Sequence, residues 1–318
     1  MGEEIALKKY HFTMILSEQH LFKVIPMYVS LCQHCKSFKL FILCMNDSVY
    51  AILSKIGFEN IILIPVKYIE DNCIELINAK ANRSFHEYCW TLKPIFLYYI
   101  MNKYDKAEYY AHVDADLFFF SNIDDIFKEN PNASIFLTHH RNSDEFKYYY
   151  DLSGTYNTGF VGLKNNNEAR IAAKLWGERC LKKCTMEYDV VNKTFGDQRY
   201  VEEWFDIFKN IHVVNSIGVN VAFWNIKNYK VSKRYNNVYV DETPLIFYHF
   251  SSVVTLGPRE FDLCSFFHID DDKVLQYIYD PYVRLLSNGI EAIMREFPWF
   301  NVGFVDRINI NNCHNYKV

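Results

Sequence analysis

The chain has 318 residues, of which 50% are hydrophobic, 17% are aromatic and 23% are charged. A chain of this length can bury a substantial core, and this composition excludes a disordered protein. The formal net charge of −4 provides no basic field for a phosphate backbone, so we expect no nucleic-acid partner.

The N-terminus and the cysteines indicate the compartment. The opening segment, MGEEIALKKYHFTMIL, lacks the basic start, the apolar core and the cleavage site of a signal peptide. No stretch approaches the roughly 18 uninterrupted apolar residues of a membrane span. The nine cysteines are scattered, and we expect Cys32 and Cys35 to pack in the core rather than bind zinc. We therefore expect a cytoplasmic protein.

The first third of the chain alternates strand and helix patterns. Apolar runs predict strands at residues 11–16, 40–45 and 61–65. Helical periodicity predicts helices at residues 22–35 and 49–56, the second ending at Gly57. An opening of this βαβαβ kind forms half of a doubly wound, nucleotide-binding sheet.

The next predicted helix covers residues 90–102, with Thr91 as its N-cap and Pro94 in its first turn. A strand at residues 108–113 follows it. Beyond Asp151 the pattern is mixed, with strands predicted at residues 158–164 and 245–250 and helices at residues 169–183, 198–208, 272–279 and 283–297. Because there is no repeat and no Pro/Gly/Ser-rich linker, we expect a single continuous domain.

The most informative segment places Asp114 and Asp116 directly after the strand at residues 108–113. Carboxylates two residues apart on extended backbone point the same way, and their ionised pair is costly unless a cation lies between them. They also lie at the sheet edge where α/β proteins bind ligands. Oxygen ligands favour magnesium, manganese or calcium, usually shared with phosphate. The alternative is an acidic turn before the helix expected near residues 123–128.

Residues 109–120 resemble the Asp-x-Asp region of GT-A glycosyltransferases, in particular glycogenin-like enzymes and bacterial transferases of lipopolysaccharide and capsule sugars. Further segments resemble the same group in the same order, at residues 90–94, 156–162, 196–198, 221–225 and 247–251. The resemblance implies an α/β fold of the GT-A type, a Rossmann-like mixed sheet flanked by helices in a single domain with a C-terminal helical extension. Its catalytic domain would cover residues 1–260, with a nucleotide-binding half at about 1–120 and an acceptor and metal half at about 121–260, and the helical extension residues 261–318.

The resemblance also implies a metal site formed by Asp114, Asp116 and His249, which would bind Mn²⁺ or Mg²⁺. Imidazole beside two carboxylates suits manganese somewhat better than magnesium. A lone histidine at the end of a strand would otherwise be structural. In the same family, an aspartate and a glutamine matching Asp197 and Gln198 contact the transferred sugar. Without the resemblance, Asp197 would be the N-cap of the helix that follows it.

The donor-binding residues follow from the same comparison of motifs. A basic residue at Lys93 or Arg83 would approach the donor phosphates or sugar, together with Asp114. Asn157 and Gly159 match a strand that faces the donor sugar.

Two positions depart from the family pattern. Glu18 stands near the place where related enzymes often have acidic residues beside the base and ribose. The tail Gly-x-x-Lys-Pro-Trp of glycogenin-like enzymes is missing, and Arg259 is the candidate for its phosphate-binding role.

The resemblance implies a metal-dependent transfer of sugar from a nucleotide-diphosphate sugar, with UDP favoured, to a glycan or lipid-linked acceptor. It further implies retention, a role in polysaccharide biosynthesis, and possible contact with the inner face of a membrane. One alternative is a degenerate protein that only binds a sugar nucleotide. The other is a phosphatase of the haloacid dehalogenase type, which needs its aspartate on the first strand and a Thr or Val where this chain has Phe118.

Overall fold

The computed structural model describes residues 8–309, 311 and 313–318. The strands are β1 (Tyr10–Leu16), β2 (Phe38–Cys44), β3 (Ile61–Pro65), β4 (Tyr109–Val113), β5 (Leu117–Phe119), β6 (Ile135–His139), β7 (Tyr156–Lys164), β8 (Ile211–Val213), β9 (Val221–Ala222), β10 (Val231–Arg234), β11 (Asn237–Val240), β12 (Thr243–Pro244), β13 (Phe247–His249), β14 (Val254–Gly257), β15 (Glu260–Asp262) and β16 (Asn315–Lys317). The helices are α1 (Val24–His34), α2 (Asp47–Ile56), α3 (Val66–Glu70), α4 (Ile74–Ala81), α5 (Phe85–Lys103), α6 (Asp124–Lys128), α7 (Tyr149–Ser153), α8 (Asn167–Lys182), α9 (Trp204–Ile207), α10 (Asp272–Val274) and α11 (Asp280–Glu296). Short 3-10 turns cover Glu18–Lys23, Asp144–Phe146, Gln198–Glu203, Ile226–Asn228 and Arg307–Asn309.

The largest sheet has seven strands in the order β3-β2-β1-β4-β7-β6-β8. Strands β3, β2, β1 and β4 are parallel, whereas β7 runs antiparallel to both of its neighbours. The predicted mixed sheet flanked by helices is therefore confirmed. Because β1 and β4 are adjacent and parallel, their carboxyl ends, at Leu16 and Val113, meet at one edge of the sheet.

Both faces of this sheet are buried. Phe12 and Met14 of β1 pack in one core cluster that includes residues of α1 and α11. Phe41 and Leu43 of β2 pack on the other face in a cluster that includes residues of α5 and α8. Parallel strands covered on both faces need continuous apolar runs, which is why the strands of the first third are readable from the sequence.

Helix α5 begins earlier than the sequence pattern predicts. Its N-cap is Ser84, whose side chain accepts from the peptide N–H of Glu87, while the Glu87 carboxylate accepts from the peptide N–H of Ser84. This capping box satisfies two of the N–H groups that a helix start leaves without partners. Thr91 is not the N-cap, because its hydroxyl donates to Glu87 O inside the helix. Lys93 therefore lies in the third turn of α5, beyond the helix start where the dipole acts.

Two other predicted helices differ in the structure. The segment predicted as a helix at residues 198–208 is the 3-10 turn Gln198–Glu203 followed by the short α9. The two helices predicted near the C-terminus are one continuous helical stretch at residues 272–296, in which a π-helical turn, Leu275–Tyr279, joins α10 to α11. A π-turn inserts an extra residue into a helix without ending it, and periodicity does not reveal it.

The C-terminal part combines helices with a small sheet. Strand β16 pairs with β15, and β15 pairs with β14. This small sheet therefore contains residues from before and from after position 260. The division at residue 260 into a catalytic domain and a helical extension stays a prediction. Within the described residues, no helix combines the length and apolar character needed to cross a bilayer.

The buried His11 makes the stability of this fold depend on pH. Its Nδ1–H donates to Tyr104 O at 3.1 Å, and its Nε2 has no hydrogen-bond partner among the described residues. Burial lowers the pKa of His11 from 6.5 to about 4. Between these values the unfolded chain binds more protons, so acidification from about pH 6.5 to about pH 4 should remove up to about 3 kcal/mol of stability.

Urea unfolding at a series of pH values measures this loss. His11→Asn keeps a donor for Tyr104 O but does not titrate, so its stability should fall less steeply over the same interval. Equal slopes for the variant and the wild type would contradict the prediction.

Candidate active site

Two carboxylates and one imidazole form a compact cluster at the sheet edge where β1 and β4 end. Asp114 and Asp116 follow β4, and His249 is the last residue of β13. One ligand atom from each of the three lies within 4.8 Å of the others. His249 Nε2 is 3.1 Å from Asp116 Oδ1 and 3.9 Å from Asp114 Oδ2. Ligands at right angles about 2.1 Å from an octahedral ion are about 3 Å apart, so the cluster fits a divalent metal ion.

Backbone pairing brings these three residues together. The peptide N–H of Asp114 donates to Gly159 O in β7 at 2.9 Å. In the antiparallel pair of β5 and β13, His249 lies opposite Leu117, the residue after Asp116. The imidazole thus reaches the carboxylates through sheet pairing between distant parts of the chain, as the resemblance predicts.

Lys93 provides a positive charge beside the carboxylates. Its ammonium is 2.9 Å from Asp114 Oδ1 and 3.1 Å from Oδ2, and its side chain is 9% exposed. Burial lowers the pKa of Lys93, but the charges of Asp114 and Asp197 outweigh burial and raise that pKa above its ordinary value. Burial likewise raises the pKa of Asp114, but Lys93 and His112 outweigh it and hold that pKa below its ordinary range. Both groups are therefore charged at neutral pH.

Asp197 and Gln198 lie beside this cluster. Asp197 is 3% exposed, and its Oδ2 accepts a hydrogen bond from Thr158 Oγ1 at 2.8 Å. Burial raises the pKa of Asp197, and the charge of Lys93 opposes this effect. Gln198 Oε1 accepts from Asn157 Nδ2 at 3.3 Å. Asp197 occupies the N-cap position of the 3-10 turn Gln198–Glu203, as expected without the resemblance, but its side chain makes no capping hydrogen bond to that turn.

A cavity of about 660 Å³ contains the cluster, a volume suited to a small-molecule ligand. The predicted site residues that line it are Lys93, Asp114, Asp116, Asn157, Gly159, Asp197, Gln198 and His249. Its wall also includes His20 after β1, Trp90 on α5, Phe195 and Trp224. Eight of the predicted site residues therefore meet in one cavity.

Arg83 is not part of this lining. Its guanidinium donates to the carbonyl oxygens of Cys180 and Leu181 at 2.7 and 2.6 Å, and it also contacts the hydroxyl of Thr91. These carbonyls belong to the last turn of α8, where a helix leaves acceptors without partners. The structure thus places Arg83 at a helix end rather than at the cavity.

Glu18 and Arg259 also lie outside the lining. The Glu18 carboxylate accepts a hydrogen bond from the hydroxyl of Ser48. Arg259 is exposed and pairs with Glu291 on α11, with 2.5 Å between Nε and Oε1. The structure does not bring either side chain to the cluster.

Two contacts of the carboxylates were missed by sequence reasoning. His112 donates from Nε2 to Asp114 Oδ1 at 2.9 Å. Its position on β4, two residues before Asp114, is a signal that both side chains share one face. Lys23 Nζ lies 3.5 Å from Asp116 Oδ2. Its only sequence signal is a single charge within the apolar run at residues 21–25.

Gly159 leaves space for the imidazole of the cluster. A Cβ atom at this position would lie 2.5 Å from His249 Cε1 and 2.9 Å from Asn157 Oδ1. Gly159→Ala should therefore displace His249 and weaken Mn²⁺ binding about 10- to 100-fold, as measured by calorimetry. Gly257→Ala is the matched control, since a Cβ there would meet nothing closer than 3.9 Å. Unchanged Mn²⁺ affinity in Gly159→Ala would argue against His249 as a ligand.

Comparison of the sequence and the structure with known proteins identifies the fold. No family model matches the chain. It is 48% identical over 308 residues to the uncharacterized protein YfnD of Bacillus subtilis (strain 168), covering 97% of this chain and 98% of YfnD. The galactosyltransferase LgtC is similar in structure with a TM-score of 0.54 at 11% identity, covering 87% of this chain and 95% of LgtC. Mouse xyloside xylosyltransferase 1 has a TM-score of 0.50 at 15% identity, covering 76% of this chain and 97% of that protein. The fold is the GT-A fold of glycosyltransferases, as predicted.

Proposed function

Because the chain belongs to the same protein family as YfnD of Bacillus subtilis and has the GT-A fold, we propose that it is a metal-dependent glycosyltransferase. Its donor would be a nucleotide-diphosphate sugar. The observation that carries the proposal is the cluster of Asp114, Asp116 and His249 beside the buried Lys93, inside a cavity at the carboxyl edge of the sheet. The fold alone would not support an activity, since one fold hosts many functions.

The charges of the cluster suit a diphosphate bound together with a metal ion. Asp114 and Asp116 would hold the ion, and Lys93 would contact phosphate oxygens. The imidazole of His249 favours manganese among the divalent ions that carboxylates bind. LgtC has been solved with donor and acceptor sugar analogues, which supports a donor and an acceptor for this fold. A UDP-sugar donor follows from the resemblance to glycogenin-like enzymes.

The proposed reaction breaks the bond between the anomeric carbon of the sugar and the β-phosphate oxygen and forms one between that carbon and an acceptor hydroxyl oxygen. The hydroxyl proton would pass to the departing diphosphate. A bound divalent ion would supply Lewis-acid stabilisation of the departing diphosphate. Lys93 would stabilise the same negative charge from inside a water-poor site, where a fixed cation is most effective. Asp197 and Gln198 would orient the sugar as its ring becomes cationic, with Gln198 positioned by its hydrogen bond from Asn157. Retention at the anomeric carbon is part of the proposal by resemblance.

Calorimetric titration with UDP tests the donor site, first with Mn²⁺ and then after EDTA is added. We expect binding that depends on the metal and is lost in Asp114→Asn. Screening of UDP-sugars for slow hydrolysis then separates an active transferase from a degenerate protein that only binds a sugar nucleotide. Lack of binding to UDP, GDP and CMP with and without metal would contradict the proposal.

The phosphatase alternative is not supported. The aspartate pair follows β4 rather than the first strand, and Phe118 lies in β5 where that chemistry needs Thr or Val.

The acceptor of the proposed transfer would be a glycan or a lipid-linked saccharide in polysaccharide biosynthesis. A cytoplasmic location, with peripheral contact to the inner face of a membrane, is proposed from the resemblance alone.

A further inference from the structure

A buried histidine lies behind two amide side chains of the cavity wall. His140 follows β6 and is 6% exposed. Asn157 and Gln198 both line the cavity, whereas His140 is not part of its lining. The imidazole Nδ1 lies 3.1 Å from Gly154 O, and Nε2 lies 3.3 Å from Asn157 Nδ2. His140 therefore supports the wall of the cavity without facing the ligand.

The partners of this imidazole decide which of its nitrogens carries the proton. Burial lowers the pKa of His140 from 6.5 to about 4, so the ring is neutral at pH 7 and holds one proton. Gly154 O can only accept a hydrogen bond, so this proton is on Nδ1. Nε2 is then an acceptor, and it accepts from Asn157 Nδ2.

The same reasoning orients both amides. The peptide N–H of Gly159 donates to Asn157 Oδ1 at 2.9 Å, so the nitrogen end of that amide faces His140. Asn157 Nδ2 donates its second proton to Gln198 Oε1. Gln198 Nε2 donates to Ser153 O at 2.8 Å, and Ser153 is not part of the lining. The amide oxygen of Gln198 therefore lies on the side of the cavity wall, and its nitrogen lies on the side away from it.

Loss of the imidazole would leave one proton of the buried Asn157 amide without a partner. A buried donor without a partner is unfavourable, and rotation of the amide towards water in the cavity would satisfy it. The same rotation would break the hydrogen bond from Asn157 to Gln198 Oε1. The Gln198 amide would then be held at its nitrogen end, by Ser153 O, and its oxygen end would be free to move.

We propose that His140 is a positioning residue, which acts through Asn157 to hold the carbonyl oxygen of Gln198 towards the donor sugar. The inference rests on the proposed function, since that oxygen acts on a sugar only if the cavity binds a sugar nucleotide. The sugar ring becomes cationic in the proposed transfer, and a fixed carbonyl dipole stabilises that charge better than a mobile one. His140 should therefore affect kcat and have little effect on nucleotide binding.

Kinetics of donor hydrolysis test this role. The substrate is the sugar nucleotide that the wild type hydrolyses fastest in a panel of UDP-, GDP- and CMP-sugars with MnCl₂. His140→Leu should lower kcat at least about 10-fold and change KM and the calorimetric affinity for the free nucleotide less than about 3-fold. His140→Gln keeps both an acceptor and a donor and should recover most of kcat. His139→Leu is the matched control and should leave kcat unchanged, because that imidazole lies against Tyr156 outside the lining.

A double-mutant cycle shows whether His140 acts through Gln198. In the Gln198→Ala background, His140→Leu should have little further effect on kcat. Equal fold losses in the two backgrounds, or an unchanged kcat in His140→Leu, would overturn the inference. Should His140→Leu not fold, His140→Asn replaces it. Asparagine keeps a donor for Gly154 O but is too short to accept from Asn157, so an unchanged kcat in that variant also overturns the inference.

The wild type separates this inference from the proposed function. Absence of metal-dependent nucleotide binding in the wild type would overturn the proposed function. Binding without hydrolysis of any sugar nucleotide would overturn the inference, since there would be no sugar step for His140 to support. An active wild type whose kcat does not depend on His140 overturns the inference alone and leaves the proposed function standing.

Discussion

Replacing Asp116 with asparagine is expected to lower sugar transfer at least about 10³-fold while the protein stays folded. Asparagine has the shape of aspartate but lacks the negative charge that a divalent ion requires. Its backbone carbonyl would still accept from the peptide N–H of Phe250 at 2.8 Å, so the pairing around β5 and β13 should persist. Removal of one of two adjacent carboxylates also relieves their repulsion. Release of UDP from UDP-sugars measures the activity, and circular dichroism with thermal unfolding measures the fold.

Asp125→Asn is the matched control for this substitution. Asp125 lies in the first turn of α6, and its side chain is 58% exposed. Its replacement should leave both activity and Mn²⁺-dependent UDP binding unchanged. If Asp116→Asn unfolds the protein, the aspartate pair is structural. If it stays folded and fully active, the cluster is not the metal site.

Lys93→Met should have the second-largest effect, on stability as well as on donor binding. The ammonium pairs with the partly buried Asp114, and the charge of the buried Asp197 also stabilises it, so its loss leaves both carboxylates without their positive partner. Breaking a buried ion pair from one side typically costs about 3 kcal/mol or more. Added Mn²⁺ should recover part of this loss, because a divalent cation can compensate the same carboxylates. Urea unfolding with and without MnCl₂ measures both effects.

The same substitution should weaken metal-dependent UDP binding about 100-fold or more, since Lys93 is the proposed partner of the diphosphate. Lys103→Met is the control on the same helix, because that ammonium contacts Tyr68 and Tyr99 at the surface rather than the cluster. A variant that loses stability but keeps full UDP affinity would show that Lys93 serves the fold alone.

The parallel part of the sheet was predictable because its strands are buried on both faces. The third strand was predicted with the bounds that the structure has, Ile61–Pro65, and the first, second and fourth within one residue at each end except for the start of the second. Helix starts were harder to place. Helix α5 begins at Phe85, five residues before the predicted start, because its capping box of Ser84 and Glu87 lies outside the apolar periodicity.

The residues of the candidate site also differ in how far the sequence predicts their roles. Asp114 and Asp116 are neighbours in the chain, so strand geometry alone predicts that they share a direction. Arg83 has the right charge for a donor site, but it contacts the end of α8, and nothing local in the sequence indicates that contact. Charge identifies a candidate, and only the partners of the side chain decide its role.

The sequence by itself determined the buried strands, the aspartate pair at the end of β4 and the order of the motifs, because each depends on residues that are close along the chain. The resemblance to a family placed His249 with Asp116, and the structure supplies the contact. The tertiary structure alone decided that Lys93 pairs with Asp114 and that Lys23 lies 3.5 Å from Asp116. These contacts depend on the pairing of β5 with β13 and on the packing of α1 and α5 against the sheet. Such long-range contacts are set by the fit of whole elements, and a local pattern of residues does not contain that information.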